Sequence, residues 1–163
     1  MNESAEIQSI LNDLRRIVRV LRESSRASER EVGLTGAQLF VLRALEGERA
    51  LSLNELADRT HTHQSSVSVV VKRLVDRELV ARVPSASDAR RVELSLTTPG
   101  RALLSSSPGA AQQRLVDGVQ SLSPEKQNAL AESLRDLVSA MKIVDRAPTM
   151  LFEDDSSEGE PRE

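Results

Sequence analysis

The segment from residue 64 to residue 73 carries small hydroxyls, an amide, a valine and two cations that share a surface if the segment is helical. At about 100° per residue, Ser65, Val69 and Lys72 lie on one outward face, and the other polar residues flank it. Hydroxyls and amides can hydrogen-bond to base edges, a valine methyl can contact a thymine methyl, and lysine and arginine bind phosphates. The candidate DNA-contacting residues here are Gln64, Ser65, Ser66, Ser68, Val69, Lys72 and Arg73.

The apolar residues of the same segment predict the helix that would present this face. Val67, Val70, Val71, Leu74 and Val75 recur at i, i+3, i+4, i+7 and i+8, which places them along one side of a helix. The run VSVVV could instead form a strand, since β-branched residues lower helix propensity by roughly a few tenths of a kcal/mol each. A strand would alternate, whereas the helical spacing continues beyond that run, so the sequence favours a helix.

A shorter helix is predicted immediately before it. Ser52 and Glu55 have the spacing of a capping box, in which each side chain satisfies a backbone N–H of the first turn. This helix ends near Arg59, and residues 60–63 form a turn into the second helix. Together the two helices predict a helix-turn-helix, whose second helix enters the major groove of DNA.

A basic β-hairpin is predicted after the second helix. Residues 79–83 and 92–96 alternate in hydropathy, and the proline, serine and aspartate between them favour a turn. Asp88, Arg90 and Arg91 fall near the tip. We expect Asp88 to hold Arg90 by a charge-assisted hydrogen bond, so that the guanidinium can enter a narrow minor groove, and Arg91 to meet phosphate or water.

Apolar stripes at both ends of the chain require a partner surface. The N-terminal stripe consists of Ile7, Ile10, Leu11, Leu14, Ile17, Val18 and Leu21. The C-terminal stripe, in a helix entered through Ser123 as N-cap and Pro124 as first residue, consists of Leu130, Leu134, Leu137, Met141 and Val144. The stripes could pack within one chain or between two chains. Between them, Ser107-Pro108-Gly109 predicts a break in a connecting helix.

The charge of the chain is unevenly distributed. The 163 residues carry a net charge of −3, but residues 59–91 contain seven cations and three acids, which gives +4. Residues 145–163 contain seven acids and two arginines, which gives −5. The acidity lies largely in the C-terminal tail, so the overall charge does not argue against a basic surface that attracts phosphate.

The composition excludes several other kinds of site. The chain has no cysteine, which excludes disulfides, thiolate metal sites and cysteine-based peroxide sensing. His61 and His63 could supply only part of a metal site, so we predict no metal ion. No Ser/His/Asp arrangement or phosphate-binding loop appears, and we predict no enzyme activity and no cofactor. Without a membrane-spanning run of about 20 apolar residues or a signal peptide, the sequence predicts a cytoplasmic protein.

From about residue 34 to residue 104 the chain resembles the MarR family of bacterial winged-helix transcriptional regulators. The stretches that carry the resemblance are LTGAQ, LADRTHTHQSSVSVVVKRLVDRELVAR, and DAR followed by RVELSLTTPGRALL. The resemblance implies a homodimer with interlocking terminal helices, a recognition helix in the major groove and a wing arginine in the adjacent minor groove. By position, Asp88 and Arg90 fall on the family's D-x-R wing signature. The matching recognition-helix residues are Ser65, Ser66 and Ser68.

Three residues depart from the family pattern. His61 stands in the turn where glycine is usual, and we expect it to adopt a positive φ at some energetic cost. Glu78 stands where the family often has the glycine that ends the recognition helix. Val69 occupies a position that is often polar or basic, so the preferred operator is expected to differ from the family's usual one.

The resemblance and the residue patterns together predict a mainly α fold, a winged helix-turn-helix with N- and C-terminal dimerisation helices. We divide the chain into an N-terminal dimerisation helix (1–33), a DNA-binding domain (34–97), connecting and dimerisation helices (98–146) and an acidic tail expected to be mobile (147–163).

The predicted function is a dimeric, sequence-specific DNA-binding regulator, most simply a repressor at a palindromic operator. The resemblance also implies a small-molecule effector, although a chain with only two aromatic residues offers little for stacking an aromatic ligand. The alternative is a winged-helix module for protein assembly. The polar, cationic recognition face argues against it, since an assembly face would be more apolar.

Overall fold

Helices and one antiparallel hairpin make up the part of the chain that the structure describes. The computed structural model describes residues 3–47, 49–85, 91–107, 109–146 and 148–153. In chain order the elements are α1 (Glu3–Val32), α2 (Gly36–Ala44), α3 (Leu53–Arg59), α4 (Gln64–Asp76), β1 (Val80–Pro84), β2 (Val92–Leu96), α5 (Thr98–Ser106), α6 (Ala111–Gln120) and α7 (Pro124–Ala140). This confirms the predicted mainly helical class with a small hairpin.

The helix-turn-helix consists of α3 and α4, as predicted, and α4 is helical through the β-branched run. Ser52 caps α3: its Oγ accepts from the Glu55 N–H at 3.2 Å, and Glu55 Oε2 accepts from the Ser52 N–H at 2.8 Å. The Ser52 N–H and hydroxyl, with the Arg49 guanidinium 2.6 Å away, lower the pKa of Glu55 from 4.5 to about 2. The carboxylate therefore stays ionised, and the capping box intact, down to strongly acidic pH.

Two non-glycine residues with left-handed backbone shape the ends of α4. His61, in the turn before it, has φ +50°, as expected from the sequence. Glu78 has φ +59° and ends the helix. The N–H groups of Glu78 and Leu79 donate to the carbonyls of Val75 and Leu74 at 2.8 and 2.9 Å, which is the Schellman pattern. A glutamate thus occupies the position that usually needs glycine, at a cost of about 1–2 kcal/mol.

The hairpin pairs β1 with β2 in the register Val80 to Leu96 and Pro84 to Val92. Leu94 and Leu96 point into the core, whereas Val92, at the outer end, is 57% exposed. A third backbone segment joins the sheet, because Leu51 and Leu94 exchange both backbone hydrogen bonds, at 2.9 and 2.7 Å. This bridge, which was not predicted from the sequence, ties the start of α3 to the wing.

The hydrophobic core lies between α2, α3, α4 and the hairpin. Its fully buried large side chains include Leu34, Leu39, Leu42, Leu56, Val67, Val70, Leu74 and Val80. All the apolar residues predicted for the inner side of α4 are buried except Val75, which is partly buried. Removing one buried leucine side chain from such a core costs about 2–5 kcal/mol. Rotating α4 about its axis would expose several such side chains, so the packing holds the opposite, polar side of α4 towards solvent.

The connection from the wing to α7 contains the predicted break. Thr97 caps α5 by accepting from the Gly100 N–H at 3.0 Å, and four residues separate the end of α5 at Ser106 from the start of α6 at Ala111. Pro108 lies outside the described residues. Ser123 caps α7 and Pro124 is its first residue, as predicted.

The two predicted apolar stripes are largely exposed in the single chain. Of the N-terminal stripe only Leu21 is buried, at 6% exposure, and Ile7 and Ile10 are more than half exposed. Among the described residues, α7 contributes none to the buried set, and its Leu134 is 45% exposed. Within the described residues, none of the helices is both long and apolar enough to cross a lipid bilayer.

Candidate nucleic-acid interface

The outward face predicted on α4 is open to solvent. Ser65, Ser68 and Lys72 are exposed, and Val69 is 48% exposed although it is apolar. Gln64 is the first residue of the helix and is also exposed. A face that combines hydroxyls, an amide, an exposed valine and a lysine can hydrogen-bond to base edges, contact a thymine methyl and bind phosphate.

The turn before α4 fixes how its N-terminus is presented. The Thr60 hydroxyl donates to the Leu56 carbonyl at 2.9 Å, and the Thr62 N–H donates to the Ala57 carbonyl at 3.0 Å. His63, the N-cap of α4, forms no side-chain capping bond with any described residue. The first N–H groups of α4 are therefore not capped by the His63 side chain, and uncapped N–H groups at a helix N-terminus suit a phosphate oxygen.

Two of the predicted contact residues are held by the chain itself. Ser66 Oγ donates to the Pro148 carbonyl at 2.8 Å, and Arg73 Nη1 lies 2.5 Å from Glu153 Oε1. Both residues lie on one flank of α4, seven positions apart. They were predicted as flanking DNA contacts, and the described segment 148–153 lies against them.

The wing carries the remaining predicted site residues. Asp88 and Arg90 lie outside the described residues. Arg91 is exposed, and its carbonyl accepts from the Ser85 N–H at 2.9 Å, which closes the described part of the hairpin. Arg82, on β1, is also exposed. The wing thus adds positive charge beside the α4 face.

Other cations of the basic region have structural contacts. Arg77 Nη1 donates to the Gly33 carbonyl at 2.5 Å and so links the end of α4 to the end of α1. Arg59 Nη1 donates to the Ala44 carbonyl at 2.8 Å. Both arginines compensate carbonyls near helix ends. The sequence signal that could have identified these roles is weak, because their partners are 44 and 15 positions away.

Comparison with known proteins agrees with this arrangement. The model of the MarR family matches residues 32–91. The transcriptional repressor MdtR of Bacillus subtilis is 40% identical over 68 residues, which are 42% of this chain and 44% of MdtR. An HTH-type transcriptional regulator of Mycobacterium leprae is 30% identical over 112 residues, 69% of this chain and 76% of the relative.

A solved structure extends the likeness to most of the chain. BpsR of Bordetella bronchiseptica, a protein whose DNA binding is regulated by 6-hydroxynicotinic acid, is 30% identical with a TM-score of 0.51. The superposition covers 81% of this chain and 98% of BpsR. This chain belongs to the MarR family of transcriptional regulators.

Proposed function

We propose that the chain acts as a homodimeric repressor that binds a palindromic operator in the cytoplasm. The exposed polar face of α4 is the observation that carries this proposal. The repressor assignment is supported by the similarity to MdtR, which is named a transcriptional repressor. Occupying promoter DNA requires no enzymatic step, only a basic reading surface of this kind.

The direct reading of bases is assigned to the centre of the α4 face. Ser65, Val69 and Lys72 lie within about 60° of one another around the helix axis, opposite the buried valines. Such a face fits the major groove, which admits one helix and presents thymine methyls and hydrogen-bonding edges. Gln64 and Ser68 flank it on one side, and Ser66 and Arg73 on the other.

The wing completes the proposed interface. Arg90, oriented by Asp88, is proposed to enter the adjacent minor groove, and Arg91 to contact phosphate. The exposure of Arg82 and Arg91 supports the basic character of this side.

The dimer is proposed from the exposed apolar stripes of α1 and α7. Isoleucines and leucines at 36–57% exposure along several helical turns form a larger apolar surface than a monomer usually leaves in water. Pairing these stripes between two chains buries them and relates the two copies of α4 by a two-fold axis. The proposed units are then a DNA-binding domain at 34–97, dimerisation helices at 1–33 and 98–146, and a tail at 147–163.

A small-molecule effector is part of the proposal. The regulation of BpsR by a small acid supports it by analogy alone. Such a ligand would act by changing the distance between the two copies of α4.

Substitutions on the α4 face should separate base reading from phosphate binding. Ser65→Ala and Val69→Ala are expected to change base preference at one or two positions of each half-site, at about 1–3 kcal/mol each. Lys72→Ala is expected to weaken binding to all DNA sequences alike. It should also reduce the slope of log affinity against log salt concentration by about 1. Binding of a panel of single-base operator variants, measured by fluorescence anisotropy at several salt concentrations, checks both expectations.

The matched control is Asn128→Ala, an exposed residue on α7 far from α4 in the chain. It should leave both affinity and base preference unchanged. A uniform loss of affinity for every sequence in Ser65→Ala and Val69→Ala would remove α4 as the reading helix.

A further inference from the structure

The segment 148–153, here called the C-terminal strap, lies along α4. These residues were predicted to belong to a tail, yet Met150 is only 5% exposed and belongs to the hydrophobic core. Gln112 on α6 donates from Nε2 to the Leu151 carbonyl at 2.6 Å. The Glu153 N–H donates to the Met150 carbonyl at 3.2 Å, which closes a turn. One buried side chain and specific hydrogen bonds therefore hold the strap in place.

The strap runs beside the proposed reading face. Its Pro148 carbonyl accepts from Ser66, and its Glu153 pairs with Arg73, two helical turns further along α4. At about 100° per residue, Ser66 and Arg73 lie roughly 70–95° from the centre of the outward face. The strap thus covers one flank of α4 over about 10 Å, at the edge where a recognition helix meets the DNA backbone.

The chemistry of the Arg73 contact resembles that of a phosphate contact. The Glu153 side chain is 8% exposed and the Arg73 side chain 28% exposed, so the pair is shielded from water more than an ordinary surface ion pair. A guanidinium forms the same charge-assisted hydrogen bonds with a carboxylate as with a phosphate. One arginine cannot direct those N–H groups to both partners at once.

We propose that the C-terminal strap is an intramolecular competitor of DNA, in which Glu153 holds Arg73 until a DNA phosphate displaces it. The inference rests on the proposed function. Because DNA must displace the strap, the apparent DNA affinity equals the intrinsic affinity multiplied by the fraction of chains in which the strap is released. Residues 154–163, which follow directly in the chain, contain five acids and one arginine.

The test compares Glu153→Gln with the matched control Glu132→Gln, which changes the net charge equally on exposed α7. The probe is one labelled duplex of arbitrary sequence, because a phosphate contact is independent of sequence. Anisotropy titrations at low salt are expected to show about tenfold tighter binding for Glu153→Gln. Glu132→Gln should bind as the wild type does. Gln112→Ala, which loosens the strap without changing charge, should also bind more tightly.

Hydrogen exchange supplies a second readout. Amides of residues 149–153 should be protected in the free wild-type protein and should exchange faster when DNA is bound. If Glu153→Gln binds DNA with wild-type affinity, or if Glu153→Gln and Glu132→Gln gain affinity equally, the proposed competition between the strap and DNA is wrong, although DNA binding itself stands. Unchanged protection of the strap on DNA binding would also overturn that competition. Failure of the wild type and all three variants to bind any duplex would overturn the proposed function and the strap together.

Discussion

Replacing Leu134 and Leu137 by aspartate is expected to convert the proposed dimer into folded monomers and to lower operator affinity by about a hundredfold or more. Both leucines are more than 40% exposed in the single chain, so the substitutions should not disturb the subunit's own core. An aspartate buried without a partner in an apolar interface costs several kcal/mol. Without the interface, each copy of α4 binds one half-site alone.

Sedimentation equilibrium and operator titration on the same samples check this expectation. Asn128→Asp is the control, because it adds one charge on the opposite side of α7 and should leave the dimer intact. A wild-type protein that sediments as a monomer at micromolar concentration, or a Leu134→Asp/Leu137→Asp protein that remains dimeric, would contradict the proposed use of α7.

The substitution Gly100→Ala is expected to destabilise the fold strongly. A Cβ at this position would lie 2.1 Å from the Leu79 carbonyl oxygen, at the point where the first turn of α5 meets the chain after α4. Backbone atoms must move to admit it, and such overpacking costs about 3 kcal/mol. The contact matters for function because the Thr97 hydroxyl also donates to the Glu78 carbonyl at 2.7 Å. The same junction therefore orients the wing relative to α4.

Thermal melting at matched protein concentration measures the effect, with an expected drop of about 6 °C or more. Gly118→Ala is the matched control on α6, where a Cβ would contact nothing within 4 Å. That substitution should raise stability by up to about 1 kcal/mol, because alanine favours the helix. A Gly100→Ala protein as stable as Gly118→Ala would contradict the close packing of α5 on the Leu79 carbonyl.

The helix-turn-helix could be predicted because its determinants are local. The capping box of Ser52 and Glu55, the periodicity of the α4 valines and the N-cap at Ser123 each depend on residues within a few positions. His61 could be assigned a positive φ for the same reason, since the turn needs one there. The outward face of α4 could be predicted because it lies opposite the apolar residues that helical periodicity assigns to the buried side.

The contacts that the sequence did not reveal join distant residues. Ser66 and Pro148 are 82 positions apart, and Arg73 and Glu153 are 80 positions apart. The six residues of the strap show no helical or strand periodicity, so composition alone predicted a tail. The bridge between Leu51 and Leu94 was not predicted either, because a single pair of backbone hydrogen bonds leaves no periodic pattern in the sequence. Burial of Met150 is decided by tertiary packing, which local propensity does not encode.

Selection of binding sites by the full-length protein tests the central claim most directly. The protein is incubated with a pool of random-sequence duplexes, bound DNA is amplified through several rounds, and the enriched sequences are read and footprinted. We predict an inverted repeat whose half-site centres are about one helical turn, or a multiple of it, apart. The Leu134→Asp/Leu137→Asp protein should fail to enrich it. A pool that stays random, or an enriched site without two-fold symmetry, would contradict sequence-specific reading by a dimer.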